Sequence, residues 1–378
     1  MTRDPLRGRR ADEQSTRPLM FTYWGKQGSL SQLTLELANI ANARHNFRHA
    51  FSVSAQNELF HEFSFLRDNL LPIDTFDTKC QSLHIGRIID AARCLRRRLE
   101  RDCTRALVSL MPHVWSPCMA RVIRQAGVRH IAIIHDAKPH LGDRKGLVNG
   151  WLLREADAAD HVITLSDFVA SQLIARGLPR MKVSALFHPD LNYGCVSGCR
   201  SDASEPLRVL FFGRILPYKG LDLLLDAIEC LQRSGVAVRL DVYGDGKIKP
   251  ATRARLLALG SRIENRWLEH SEFKAILSEY DVVVASHIEA SQSGVVAAAF
   301  GAGLPVVATP VGGLVEQVTP GVTGIVAESV SAPALAAAIR MVADDRSLLT
   351  HFRRGIVGRR NERSMELFFD KVCEIALC

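Results

Sequence analysis

The chain has 378 residues, a formal net charge of +8, 47% hydrophobic residues and 23% charged residues. That length suits two domains and a large core, and the composition excludes a fibrous or wholly disordered polymer. Nine cysteines without a CxxC pair exclude a disulfide scaffold, and Cys195 and Cys199 have no second pair or histidine run to complete a zinc site.

Residues 1–18 form a polar, basic tail expected to be disordered and lacking the apolar stretch of a signal peptide. With unpaired thiols this points to a cytoplasmic protein. Residues 19–190 are expected to form the first domain. Leu19–Trp24 opens it as a strand, Gly25 and Gly28 make the turn, and Leu30–Ala41 continues as a helix. Seven arginines between Arg87 and Arg105 stand with only three acids (Asp90, Glu100, Asp102), beside an apolar stripe of Ile88, Ile89, Ala92, Leu95 and Leu99. Such a segment either lies on anionic lipid, at the inner face of the plasma membrane, or packs on the first domain as a solvated helix. The net charge has a second possible reader in nucleic acid. No zinc finger, RNP aromatic pattern or recognition helix accompanies it, so none is expected as a partner.

Further strands are predicted at Ala106–Leu110, His130–Ile134 and Asp160–Leu165, the last followed by Ser166 as N-cap and a helix from Asp167 to about Arg176. His135 and Asp136 stand at a strand's carboxyl end, where doubly wound folds bind ligands; Lys138 and His140 follow, suited to an anionic acceptor. Strands alternating with helices imply parallel sheets covered on both faces. Residues 191–206 form a Gly/Ser-rich linker.

The second domain is expected over 207–345, with helices over 346–378. It opens with LRVLFFGRILPYKGLDLLLD, residues 207–226. Arg208–Phe212 is a buried parallel strand, Gly213 breaks it, and Leu221, Leu224, Leu225 and Ile228 recur at helical spacing. Arg214 and Lys219 lie between strand end and helix start, well placed to hold a diphosphate, with two solvated surface cations as the lesser alternative. Further strands are predicted at Val238–Tyr243, Val282–Ala285 and Val306–Ala308. Ser291 or Ser293 can cap a helix at Gln292, Ser293 and Gly294, and Gly294 admits a phosphate to the backbone. The apolar stretch Val295–Val315 is too broken by Gly and Pro to span a membrane.

FGRILPYKGLDLLLDAI and YDVVVASHIEASQSGVVAAAFGAGLPVVATPVGGLVE together resemble the phosphate-binding and donor-binding blocks of the family 4 retaining glycosyltransferases. The resemblance, spread over about residues 20–345, implies a GT-B fold: two Rossmann-like doubly wound domains facing across a cleft. It assigns the donor diphosphate to Arg214 and Lys219, with Ser293 and Gly294, and likens Gly25–Gly28 to the family's glycine loop. Glu289 resembles the first glutamate of an E-x7-E motif, which contacts the donor sugar. The second, which contacts the ribose, is absent: Ala297 or Ala298 occupies its place and no acid stands between Glu289 and Glu316. Ribose then falls to Ser291, Gln292 or backbone. The resemblance also puts Gly244 and Gly246 near the nucleotide, Trp267 near the base and His135 near the transferred sugar.

What it implies is a metal-independent transfer of a hexose, with retention, from a UDP- or GDP-sugar to a hydroxyl on a glycan or lipid-linked glycan. Bacterial cell-surface or exopolysaccharide synthesis is the setting it suggests. A non-catalytic nucleotide-sugar-binding or scaffold protein of the same fold is the alternative, and a sugar-nucleotide epimerase or phosphorylase a further one.

Overall fold

The computed structural model describes residues 18–78, 80–140, 146–194 and 205–378. The expected tail, except Pro18, and residues 195–204 of the expected linker, with Cys195 and Cys199, lie outside them.

Two parallel sheets carry the fold. The first joins β1 (Leu19–Tyr23), β2 (His49–Ser54), β3 (Leu70–Ile73), β4 (Ala106–Ser109), β5 (Arg129–Ile134), β6 (His161–Thr164) and β7 (Val183–Ala185) in the order 3-2-1-4-5-6-7. The second joins β8 (Leu207–Phe212), β9 (Val238–Tyr243), β10 (Ile263–Glu264), β11 (Val282–Ala285), β12 (Val306–Ala308) and β13 (Gly324–Val326) in the order 10-9-8-11-12-13. Every strand pair is parallel. Each sheet reverses direction beside its first strand, the crevice where such sheets bind ligands. The expected pair of doubly wound Rossmann-like domains is therefore present.

Three strands carry little pattern. In β2, Ser52 and Ser54 are fully buried, where Ser52 Oγ accepts from Trp24 Nε1 at 3.0 Å and Ser54 Oγ lies 2.7 Å from Thr75 Oγ1. Polar residues satisfied inside the core hide this strand from an apolar pattern. β3 contains Pro72, tolerated because the strand is at the sheet edge. β13 has three residues, also at an edge. The first helix runs slightly longer than its pattern, Ser29–Ala43. The Val295–Val315 stretch folds as the Gly294–Ala302 helix, β12 and the start of the Leu314–Gln317 helix. Among the described residues no helix is long and apolar enough to cross a membrane.

The basic segment forms the Ile85–Arg101 helix. Its apolar stripe turns inward: Ala91, Leu95 and Leu99 pack with Met20, Leu107 and Trp115. Arg98 is buried and paired with Asp102. Arg93, Arg96, Arg97 and Arg101 remain outward, with Leu83, Ile85 and Ile89 exposed at the helix's amino end. The stripe apart from Ile89 is thus packed on the core, and the arginine face and that apolar end are open to a partner.

The last helix, Met365–Leu377, lies against the first domain rather than the second. Met365, Phe368, Phe369, Val372 and Ala376 enter the core formed with β1 and the Ser29–Ala43 helix, and Phe369 stacks on Phe21 at 5.8 Å. Phe369→Ala should remove about 3–5 kcal/mol of stability by leaving a cavity, measured by urea unfolding; a loss below about 1 kcal/mol would contradict this packing.

Candidate active site at the domain cleft

The cleft is built where the carboxyl ends of both sheets meet. From the second domain comes the loop after β8. Gly220 ends it with φ 71, and a Cβ there would stand 1.9 Å from the Ser286 carbonyl oxygen. Only glycine permits that approach, which brings Lys219 beside the loop after β11. Lys219 Nζ is 2.7 Å from His287 Nε2, and Ser286 Oγ donates to the Lys219 carbonyl at 3.1 Å. Arg214 is exposed and reaches the Tyr218 hydroxyl at 3.4 Å. Lys219 is partly buried. Burial first, and then Arg214, push its ammonium down to about 7, against the pull of Asp136.

The Gly294–Ala302 helix starts beside this loop, where a Cβ on Gly213 would meet Val295 at 3.1 Å. Ser293 is its N-cap residue, but neither candidate serine caps it through its side chain. The Ser293 hydroxyl turns to His287 Nε2 at 3.4 Å, and the Ser293 N–H donates to Gln317 Oε1 at 2.7 Å. A Cβ on Gly294 would stand 2.5 Å from Ser29 Oγ. Ser29 begins the first helix of the opposite domain, so two helix N-termini face each other near Arg214 and Lys219. Both carry partial positive charge, and together they favour an anion beside them.

The first domain supplies the opposite wall. His135 is buried; its Nε2 donates to the Leu110 carbonyl at 2.8 Å, leaving Nδ1 to accept from Gln292 Nε2 at 3.4 Å. Burial keeps His135 below its usual range and therefore neutral. Gln292 Oε1 is buried with no hydrogen-bond partner among the described residues. His188 is also buried beside His135, and burial pushes it down to about 4. His140 crosses the cleft: it stacks on Tyr218 at 4.6 Å, and its Nε2 is 3.0 Å from Asp136 and 3.3 Å from Ser291 Oγ. Its Nδ1 is 3.8 Å from Glu289, whose side chain is about half exposed. Burial raises Asp136, but the hydrogen bond and charge of His140, with Ser291 and His135, together outweigh it and hold the carboxyl below its usual range.

The structure thus gathers His135, Glu289, Arg214, Lys219, Ser291, Gln292, Ser293 and Gly294 in one region. Gly28, Gly244, Gly246 and Trp267 stand around it. Gly28 N donates to Glu58 Oε1 at 2.7 Å, and Trp267 Nε1 to Glu58 Oε2 at 2.9 Å. Gly244 and Gly246 back onto Gly213 and Ile215, and Asn265 Nδ2 donates to both their carbonyls at 3.0 Å. Sequence reasoning missed Glu58 and His287. Neither lies in a regular spacing; for His287 its place two residues before Glu289 was the available signal. Among the described residues no group of three or more His, Cys, Asp or Glu side chains is gathered to hold a metal ion.

Two more contacts tie the domains. Glu316 accepts from the backbone N–H of Asp167 at 2.7 Å and of Phe168 at 2.8 Å, at the start of the Asp167–Ala175 helix. Ser166 Oγ donates to the Ser291 carbonyl at 2.9 Å and accepts from Val169 N as the N-cap. Glu316→Ala should strip those two N–H groups of their acceptor and open the cleft. We expect a loss of about 1–2 kcal/mol in unfolding and a larger radius of gyration by small-angle scattering; unchanged dimensions would contradict the clamp.

Residues 206–345 match the family model described as Glycosyl transferases group 1. The glycogen synthase of Mycobacterium tuberculosis is 30% identical over 205 residues, 52% of this chain and 48% of that protein. The GDP-mannose-dependent alpha-mannosyltransferase of the same species is 29% identical over 231 residues, 56% of this chain and 58% of that protein. The chain spans about half the length of these curated relatives. Anabaena HepE, solved in complex with UDP-glucose, superposes with a TM-score of 0.71 at 15% identity, over 95% of this chain and 99% of that one. A glycosyltransferase from Rickettsia africae gives 0.70 at 15% identity, over 96% and 98%. The chain has the GT-B fold seen in glycosyltransferases, and its second domain is similar to the group 1 glycosyl transferase model.

Proposed function

We propose that this protein transfers a hexose from a UDP- or GDP-sugar to a hydroxyl of a glycan or lipid-linked glycan, with retention of configuration. The observation that carries the proposal is the convergence of Arg214, Lys219 and two helix N-termini from opposite domains. Such an arrangement suits the charge that builds on a leaving nucleoside diphosphate, because its donors are fixed before reaction. Similarity to relatives named for nucleotide-sugar chemistry supports it.

In this reading Arg214 and Lys219 hold the diphosphate, and no metal is assigned to the step. His135, neutral, accepts from a sugar hydroxyl at Nδ1 in place of Gln292. Glu289 orients the sugar from the opposite side. No side chain is assigned as a covalent nucleophile, so the acceptor attacks the face the diphosphate leaves. Domain closure excludes water that would hydrolyse the donor. The glycan would belong to bacterial cell-surface or exopolysaccharide synthesis, made at the inner membrane face, with the outward arginines of the Ile85–Arg101 helix drawn to anionic lipid.

Calorimetric titration of UDP, GDP and ADP should find one tight nucleotide. Lys219→Ala should lose that binding and lower kcat/KM roughly 10²–10³-fold with the fold intact. Near-normal turnover in that variant refutes the diphosphate assignment, and binding without transfer to any acceptor favours the non-catalytic alternative. Separately, the protein should float with anionic liposomes at low salt and release at high salt; no flotation at low salt removes the membrane surface as a partner.

A further inference from the structure

One cleft side chain has no part in the roles above. His287 follows β11 and is 2% exposed. Its Nε2 faces Lys219 Nζ at 2.7 Å and Ser293 Oγ at 3.4 Å. Lys219 and Ser293 are hydrogen donors to that nitrogen, so it carries no proton and the neutral ring keeps its proton on Nδ1. Burial, and then the charge of Lys219, hold His287 well below the usual histidine range. It therefore remains an acceptor through neutral pH.

Building on the donor-site reading, we infer that His287 is a positioning residue for the donor diphosphate: it fixes Lys219 Nζ at the cleft, and Lys219 takes up a proton when the diphosphate arrives. The groups facing Lys219 are Arg214 and Tyr218 on its own loop, His287 and Ser293 from the segment after β11, and Asp136 and His140 from the first domain. Arg214 is a permanent cation in this set, and Asp136 is the carboxylate that opposes it. The empty site therefore disfavours a second full positive charge. A diphosphate reverses that balance. The proton comes from solvent onto the Nζ lone pair, and no bond of the nucleotide breaks. One N–H stays on His287 Nε2 while the others turn to phosphate oxygens.

The sign follows from the depressed lysine. Below about pH 7 Lys219 is already charged and binding takes up no proton. Above it the empty site loses its charge, binding draws one proton, and affinity falls by up to about tenfold per pH unit until the pKa of the bound state is reached. The nucleotide's terminal phosphate, with a second pKa near ~6, is already ionised there and adds no such uptake.

The test is calorimetry of UDP and GDP binding at about pH 6 and about pH 8.5, each in two buffers of different ionisation enthalpy. The proteins are the wild type, His287→Gln, His287→Leu and Lys219→Arg. We expect wild type to take up close to one proton at the higher pH and to show no uptake at the lower, where the half-protonated terminal phosphate instead releases part of a proton. Lys219→Arg, always charged, should bind without uptake. His287→Gln keeps an acceptor for Nζ and should stay within a few-fold of wild-type affinity, whereas His287→Leu should lose roughly tenfold or more. Wild-type binding without proton uptake, or unchanged binding by His287→Leu, overturns the inference and leaves the donor site standing. No binding of either nucleotide by wild type overturns the donor site and the inference with it. If His287→Leu does not fold, proton uptake in wild type and its absence in Lys219→Arg decide.

Discussion

A parallel sheet ends with its strands' carboxyl groups and the following helices' amino ends at one edge, and those polar groups need partners. In this protein many find them across the domain boundary. Glu316 of the second domain satisfies the first two N–H groups of the Asp167–Ala175 helix in the first. Ser166 reaches the Ser291 carbonyl, and Glu58 joins Gly28 of one domain to Trp267 of the other. Closure is thus part of the hydrogen bonding of both sheets. Each bond is worth about 1 kcal/mol net, and several are exposed enough for water to replace them.

Chain crossings hold this pair together at the far side of the cleft. Leu191 N donates to the Ala297 carbonyl at 3.1 Å as the chain leaves the first domain. On the return, Arg363 pairs with Asp190 at 3.0 Å and covers the Phe300 ring at 4.9 Å. The outgoing and returning segments are therefore bound to each other and to the same helix, Gly294–Ala302. Both chain crossings thus rest on the helix whose amino end faces the candidate donor site.

The fold was legible where burial imposes a simple period. β8 and β11 are largely apolar runs ended by glycine or a polar residue, β9 alternates apolar residues with Arg239 and Asp241, and the Leu221–Arg233 helix repeats its leucines at helical spacing. β2 was not, because its serines are satisfied inside the core. The amphipathic stripe before Arg105 was legible as a stripe but not as to what covers it; Met20 and Trp115, distant in sequence, do. The Arg214 and Lys219 loop could be read because its cations sit between a strand and a helix in one continuous segment. The His140, Tyr218 and Glu289 cluster and the Glu58 bridge could not, since each joins residues from different domains. His287 escaped for another reason: a histidine after a strand has no mark of function until the lysine against it is seen.

The acid-free run between Glu289 and Glu316 and the depressed lysine have a common electrostatic cause. Ala297 and Ala298 are buried; Ala297 packs into the first domain's core, and Ala298 lies with Phe212, Tyr243 and Val296. A carboxylate in either environment would be desolvated and costly. The helix beside the cleft therefore carries no anion, and no acid follows Glu289 until Glu316, which is spent on the first domain's helix. Against Arg214 and two helix N-termini, Asp136 is the carboxylate that offsets charge at Lys219. An acid in the first turns of this helix would raise Lys219 and keep it charged in the empty cleft. Without one, full charge on the lysine is stabilised by the arriving anion itself, which ties occupation of the site to its electrostatic completion.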